Sequence, residues 1–388
     1  MDNFIDVNYK SLNKHTEELC GDKVEYIFND DGCIIVLSDG LGSGVKANIL
    51  ATMTTKIAVT MLKNGASIDD TIETIINTLP ECKVRKLAYS TFTIIKIDKY
   101  NNAYIAEYDN PPYFFYSHKR IISVNKTERI IGNKKIFESN IKLGEGDTLC
   151  VVSDGAIHAG IGQMLNLGWS WNEVSEYLKD LINVNKSSQI INGNFIGVCS
   201  NLYNDKPGDD TTILTVKVRR PEVIDLFIGP PTHKDLDAKL AEFMLNSPNM
   251  KIICGGTTAL IAERELKIDL QVDMDSMKED VPPIAFMEGF DLVTEGVLTL
   301  GKTLENIKRL NKTNYESLEF YNDYDGCSLL TRILMDIGTH INFYVGRAVN
   351  SAHQNPNFPL GYNIKQNIVE GLIEELKKAG KHIKVTYL

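Results

Sequence analysis

The chain has 388 residues and a hydrophobic content of 43%, enough for two globular domains with buried cores. Its formal net charge of −10 argues against electrostatic binding to nucleic acid, which needs a basic face, and gives no basic anchor for an anionic membrane. No apolar run reaches the roughly 18 residues of a membrane span, and the polar, mixed-charge start MDNFIDVNYKSLNKHTEELC does not read as a secretory signal.

Seven cysteines, at 20, 33, 82, 150, 199, 254 and 327, include no C-x-x-C pair. They read as buried free thiols, and a cytoplasmic protein is expected from them. In chain order, CIIVLS (33–38) is a buried strand ending at Asp39-Gly40. Gly42-Ser43-Gly44 then opens a helix predicted to place Leu50, Met53, Ile57 and Met61 on one face. Ser67-Ile68-Asp69-Asp70 resembles a capping box before a second helix with Ile72, Ile75, Ile76 and Leu79. STFTIIKID and AYIAEYD, separated around Asn101-Asn102, form a hairpin. LCVVS (149–153) is another apolar strand and ends at Asp154-Gly155. A helix follows around Trp171–Val184, and Gly208-Asp209-Asp210-Thr211-Thr212 feeds a last strand, ILTVKV. This mixture predicts an α+β domain over residues 1–218.

Past Arg219-Arg220-Pro221 the pattern resets. VIDLFIG, KIICGG, FDLVTEG, HINFYVG and HIKVTYL alternate with helical stretches, which predicts a smaller α/β domain over 222–388 with a mostly parallel sheet. Gly255-Gly256-Thr257-Thr258 lies at a strand–helix junction that could cradle an anion, although turn and cap chemistry is the more ordinary reading of it. HQNPNFP (353–359) reads as a loop able to act as a lid or a partner contact. This domain is expected to be regulatory, taking a small ligand or a protein partner.

Asp-Gly occurs at 31–32, 39–40, 154–155 and 325–326, and most such pairs are turns. Only CIIVLSDG and LCVVSDG put the aspartate at the end of a buried apolar strand, where a carboxylate needs a partner. Hard divalent cations supply one, and glycine lets a main-chain carbonyl turn toward the same ion. GDDTT and Asp22 add further carboxylates, and no His/Cys cluster with zinc spacing competes. Lys46 reads as a solvated lysine before a phosphate ligand. His158 reads as a surface or structural residue before a proton donor.

The order Gly21-Asp22, SDGLGSG (38–44), SDG (153–155) and GDDTT (208–212) resembles the PPM metal-dependent serine/threonine protein phosphatases, most of all their bacterial SpoIIE-type branch. The resemblance covers roughly residues 10–218. EYDNPP stands where that branch commonly has a small-residue-Gly-His/Asn-Pro-Pro turn, a departure at a structural position. The resemblance implies a β-sandwich flanked by helices with two ions, Mn²⁺ or Mg²⁺, in a cleft at one edge. Residue by residue it implies that Asp39 bridges both ions and that Gly40 offers its carbonyl to one. It makes Asp154 and Asp209 the other carboxylates of the first ion and puts Asp22 near the second. Asp39, Asp154 and Asp209 are the catalytic residues so implied, with Asp210 in support. The implied activity is hydrolysis of phosphoserine or phosphothreonine in a regulatory phosphoprotein, such as an anti-sigma-factor antagonist. A non-catalytic phosphoprotein-binding protein and a small-molecule phosphatase are the alternatives, and a homodimer is left open.

Overall fold

The computed structural model describes residues 3–78, 90–132, 134–162, 164–312, 319–347 and 364–388. It divides into two compact units, one running Ile5–Arg220 and the other taking Pro221–Lys312 and the chain beyond. Among the described residues no helix is long and apolar enough to cross a membrane.

The first unit holds β1 (Phe4–Leu12), β2 (Asp22–Asn29), β3 (Gly32–Asp39), β4 (Phe92–Asp98), β5 (Asn102–Tyr108), β6 (Phe114–Ser117), β7 (Arg120–Ile121), β8 (Thr127–Ile131), β9 (Lys134–Lys142), β10 (Thr148–Val152) and β11 (Thr211–Arg219). Its helices are α1 (Gly44–Lys63), α2 (Ile68–Thr78), the single turn α3 (Asp154–Ile157), α4 (Trp171–Val184) and α5 (Ser188–Leu202). The strands form a six-stranded sheet, β2-β3-β4-β5-β9-β8, and a five-stranded sheet, β1-β11-β10-β6-β7.

Strand alternation builds the layers. Cys33, Ile35 and Leu37 of β3 face inward with Ile95 and Ile97, meeting Leu149, Val151, Leu214 and Val216 of the other sheet in one core. Ile34 and Val36, on the opposite face, pack under α1 and α2 with Leu50, Val59, Ile72 and Ile75. The outer face of the five-stranded sheet, with Cys150, Val152 and Ile213, is covered by Val174 and Leu178 of α4 and by Phe195 and Ile196 of α5. The result is an α+β sandwich flanked by helices.

Two details differ from the sequence reading. Helix α1 is present, but its buried face is Ala47, Leu50, Ala51, Thr54, Thr55, Ala58, Val59 and Leu62, while Met53 is 38% exposed. Small side chains let the helix lie close on β2 and β3, so bulk is pushed to the flanks. Helix α5 was not expected. It is buried nearly all round and carries Gly193 and Gly197, so it has no amphipathic stripe to read. Ser67 does cap α2, its Oγ accepting from the Asp70 amide at 3.0 Å. Leu79 lies outside the described residues.

The second unit contains β12 (Val223–Ile228), β13 (Met250–Cys254), β14 (Gln271–Asp273), β15 (Ile284–Phe286), β16 (Leu292–Thr294), β17 (His340–Val345) and β18 (His382–Tyr387). Its helices are α6 (Asp237–Asn246), α7 (Gly256–Leu266), α8 (Val297–Asn311), α9 (Gly326–Arg332) and α10 (Ile364–Lys378). The sheet order is β14-β15-β16-β13-β12-β17-β18. The five strands from β16 to β18 pair in parallel, and β14 and β15 add an antiparallel edge. Phe227, Ile253 and Val293 face α6 and α7 on one side of it. The short β14, β15 and α9 carried no sequence signal, and the 353–359 loop lies outside the described residues.

Candidate metal centre

Two carboxylates come from the six-stranded sheet of the sandwich and three from the five-stranded one. Asp22 opens β2 and lies directly across from Asp39 at the end of β3. Asp154 follows β10, Asp209 and Asp210 precede β11, and those two strands are antiparallel neighbours. The sandwich therefore brings Asp22, Asp39, Asp154 and Asp209 to one end, with Asp210 among them. The other two Asp-Gly pairs do what turns and caps do. Gly32 makes the β2–β3 hairpin at φ +137°, and Asp325 caps α9 by accepting from the amides of Cys327 and Ser328 at 3.0 and 2.9 Å.

Glycines make the approach possible. A Cβ on Gly40 would stand 2.0 Å from the carbonyl oxygen of Ala47 in α1, and one on Gly155 would stand 2.1 Å from that of Asp210. The Gly40 amide donates to Gly21 O at 3.2 Å, and Thr91 N donates to Asp39 O at 2.9 Å, which fixes the backbone through the aspartate. The two Ser-Asp-Gly turns then diverge. Tyr203 Oη donates to Gly155 O at 2.7 Å, so that carbonyl is taken. Among the described residues no donor reaches the carbonyl of Gly40.

The electrostatics are those of an uncompensated anion cluster. Asp22 is 4% exposed, and neither carboxylate oxygen has a hydrogen-bond partner among the described residues. Burial raises its pKa, with Asp210 and Asp154 adding to the rise; the hydroxyls of Ser153 and Thr212 lie beside it and favour the charge only in part. Each hydroxyl also makes a bond to another residue, Ser153 Oγ accepting from Thr212 N and Thr212 Oγ1 pairing with Ser11 Oγ, both at 2.8 Å. Asp39 is also driven upward, first by burial and then by the charges of Asp22, Asp154, Asp209 and Asp210. Asp154 rises through burial and Asp209, partly offset by His158. Asp210 rises through burial; its Oδ1 accepts from Lys14 N at 2.9 Å, while Oδ2 has no partner among the described residues.

This set fits a hard divalent cation. Every donor is oxygen and the charges are negative, and among the described residues one main-chain carbonyl is free and buried carboxylate oxygens lack partners. Among the described residues no group of three or more His, Cys, Asp or Glu side chains is already arranged as a metal cage. The fit therefore lies in donor chemistry and orphaned oxygens.

The remaining expectations sort clearly. Lys46 and His158 are exposed. The start of α1 does not present itself to a ligand, because Ser43 Oγ donates to Glu17 Oε1 at 3.1 Å and the Glu17 carboxylate sits against Gly44. Sequence reasoning missed Glu17, Lys14 and Tyr203. Each acts on the site from a distant element, and its residue type alone marks nothing. Lys14 Nζ stands 3.8 Å from Asp209, a half-exposed pair of small energetic weight.

Residues 29–219 match the family model described as Stage II sporulation protein E (SpoIIE). No curated protein matches the chain's sequence. Among solved structures, the chain is similar to the phosphatase domain of the cell-fate determinant SpoIIE from Bacillus subtilis, with 19% identity and a TM-score of 0.42 over 56% of this chain and 94% of that one. The RsbU and RsbW domains of a Mycobacterium tuberculosis protein align at 14% identity and a TM-score of 0.48, over 62% of this chain and 68% of theirs. RsbX, crystallised in complex with magnesium, aligns at 17% identity and a TM-score of 0.41, over 56% and 96%. At these identities and scores the three structures are likenesses only, and membership rests on the family model.

Proposed function

Through residues 29–219 the chain belongs to the SpoIIE-type branch of the PPM phosphatases, and from that premise we propose that it hydrolyses phosphoserine or phosphothreonine in a regulatory phosphoprotein. The observation that carries the proposal is the buried Asp22 carboxylate, without a hydrogen-bond partner among the described residues, facing Asp39 within a group of five aspartates. Asp22, Asp39, Asp154, Asp209 and the Gly40 carbonyl would hold the ions. Mn²⁺ or Mg²⁺ bound there supplies charge neutralisation for phosphoryl oxygens and a nucleophile available at neutral pH.

The chain's own residues divide the remaining work. Asp39 is fixed by the Thr91 amide on its carbonyl, and the β2–β3 register sets Asp22 across from it. The Lys14 amide holds Asp210 behind Asp22, and Tyr203 locks the Asp154 turn. His158 is exposed beside Asp154, open to exchange a proton with solvent or with a departing serine oxygen. The substrate is proposed to be a phosphorylated switch protein of the anti-sigma-factor-antagonist kind, in the cytoplasm.

The test is phosphate release from a phosphoserine protein and from p-nitrophenyl phosphate by the full chain with Mn²⁺. Asp39→Asn should cut the rate by roughly two orders of magnitude or more. Activity that survives Asp39→Asn would sink the assignment. Tight phosphoprotein binding without turnover would move the reading to a non-catalytic binder, and preference for free phosphometabolites would move it to a small-molecule phosphatase.

A further inference from the structure

The second unit has its own strand-end crevice, which the phosphatase reading leaves unused. The chain runs from β12 out through β13 to β16 and then returns to the opposite side of β12 with β17. The carboxyl ends of β12 and β17 therefore flank the point where strand order reverses, the usual ligand crevice of open α/β sheets.

Glycine follows the strands at this end. Gly229 (φ +76°) follows β12, Gly255 (φ +133°) follows β13, and Gly346 follows β17. A Cβ on Gly255 would stand 3.9 Å from Gly229 N and 3.6 Å from Thr258 Oγ1. The Thr258 side chain is thus directed at the face of Gly255 that lacks a side chain. Its hydroxyl is fully buried and, among the described residues, has no hydrogen-bond partner. The cost of such a group is ordinarily offset by something that bonds it.

Helix α7 begins at the same place. Its cap is Gly255, which offers no side-chain bond, and its first turn has no acidic residue. The first amide to find a main-chain acceptor is that of Ala259, bonded to Gly255 O at 3.0 Å. The amides of Gly256, Thr257 and Thr258 precede it, and Gly256 and Thr257 are exposed. Helix α8 is different, because Glu295 Oε2 already accepts from Leu298 N at 3.0 Å. A cation completes the crevice. Lys365 Nζ donates to Gly346 O at 2.6 Å and lies 2.8 Å from the position of a Cβ on Gly229. Among the described residues no carboxylate forms an ion pair with it, and burial lowers its pKa. In another concavity of this unit the two lysines are already paired, Lys278 with Asp323 and Lys302 with Asp280.

We propose that the crevice formed by Gly229, Gly255, the first turn of α7 and Lys365 binds a phosphate group, either free or carried by a nucleotide. The α7 amides and the Thr258 hydroxyl supply donors, and the Lys365 ammonium supplies the charge. Inorganic phosphate and a nucleotide share this chemistry, and the test separates them.

Isothermal titration of the full chain in EDTA, with inorganic phosphate and then ADP, keeps the divalent-metal site out of the measurement. One saturable site is expected. Lys365→Ala should weaken it roughly tenfold or more. Gly256→Asp introduces a Cβ with nothing within 4 Å; it should fold normally, put its own carboxylate at the helix start and abolish binding. Asp39→Asn should leave binding unchanged. Tighter binding of ADP identifies a nucleotide, and equal affinity identifies free phosphate. No saturable binding of either at millimolar concentration overturns the proposal. So does binding that survives Gly256→Asp, or binding that Asp39→Asn removes.

Discussion

At the scale of single residues, the cluster around Asp39 works against the fold that holds it. A buried carboxylate without a hydrogen-bond partner costs about 1–3 kcal/mol, and more when charged. Both Asp22 and Asp39 have folded pKa values above the ordinary aspartate range near 4. In that interval the folded state binds more protons than the unfolded state, so stability falls as pH rises. In EDTA, thermal midpoints should drop between pH 5 and pH 8, and Mn²⁺ should raise them most at the upper end. Asp39→Asn removes one charge and keeps the shape. It should stabilise the metal-free protein by about 1–3 kcal/mol at pH 8 and flatten the pH slope. A variant with the wild-type slope, and with an undiminished response to Mn²⁺, would show that Asp39 is not part of the burden. This readout does not depend on turnover, so it tests the metal ligands separately from the substrate.

At the scale of elements, the site depends on how closely backbones pass. Gly40→Ala would drive a methyl to 2.0 Å from a carbonyl of α1, and main chain cannot swing aside as a side chain does. A loss of about 1–3 kcal/mol is expected from such overpacking, together with loss of activity as Asp39 shifts. Gly208→Ala is the contrast within the same constellation, since its Cβ would make an ordinary contact of 3.5 Å with Tyr203. Chemical denaturation should separate the two, with Gly208→Ala within about 0.5 kcal/mol of wild type. The same distinction explains what the sequence could reveal. Buried strands such as β3 and β10 were legible because their apolar runs end at polar turns, and the aspartates stood out against that background. The face of α1 was misread because close helix–sheet packing selects alanine and threonine over methionine and isoleucine. Helix α5 was invisible because burial on all sides erases the helical stripe. Glu17 and Tyr203 could not be found at all. They reach the site through tertiary contacts whose partners lie 26 and 48 residues away.

At the scale of the whole molecule, the chain joins two units that each close their own core. The first is sealed by the two faces of a sandwich, and the second by helices on a largely parallel sheet. A unit with its own core unfolds as its own cooperative step unless an interface welds it to its neighbour. Differential scanning calorimetry of the full chain should therefore resolve two transitions. Ligands assign them, because a molecule that binds only the native form of one unit raises only that unit's midpoint. Mn²⁺ should move one transition, and Asp39→Asn should abolish that movement. Inorganic phosphate in EDTA should move the other, and Gly256→Asp should abolish that one. A single transition shifted by both ligands would instead mean that the two sites are energetically joined. The phosphate crevice would then bias the stability of the phosphatase unit, and the coupling could be measured as the change in Mn²⁺ affinity when phosphate is added.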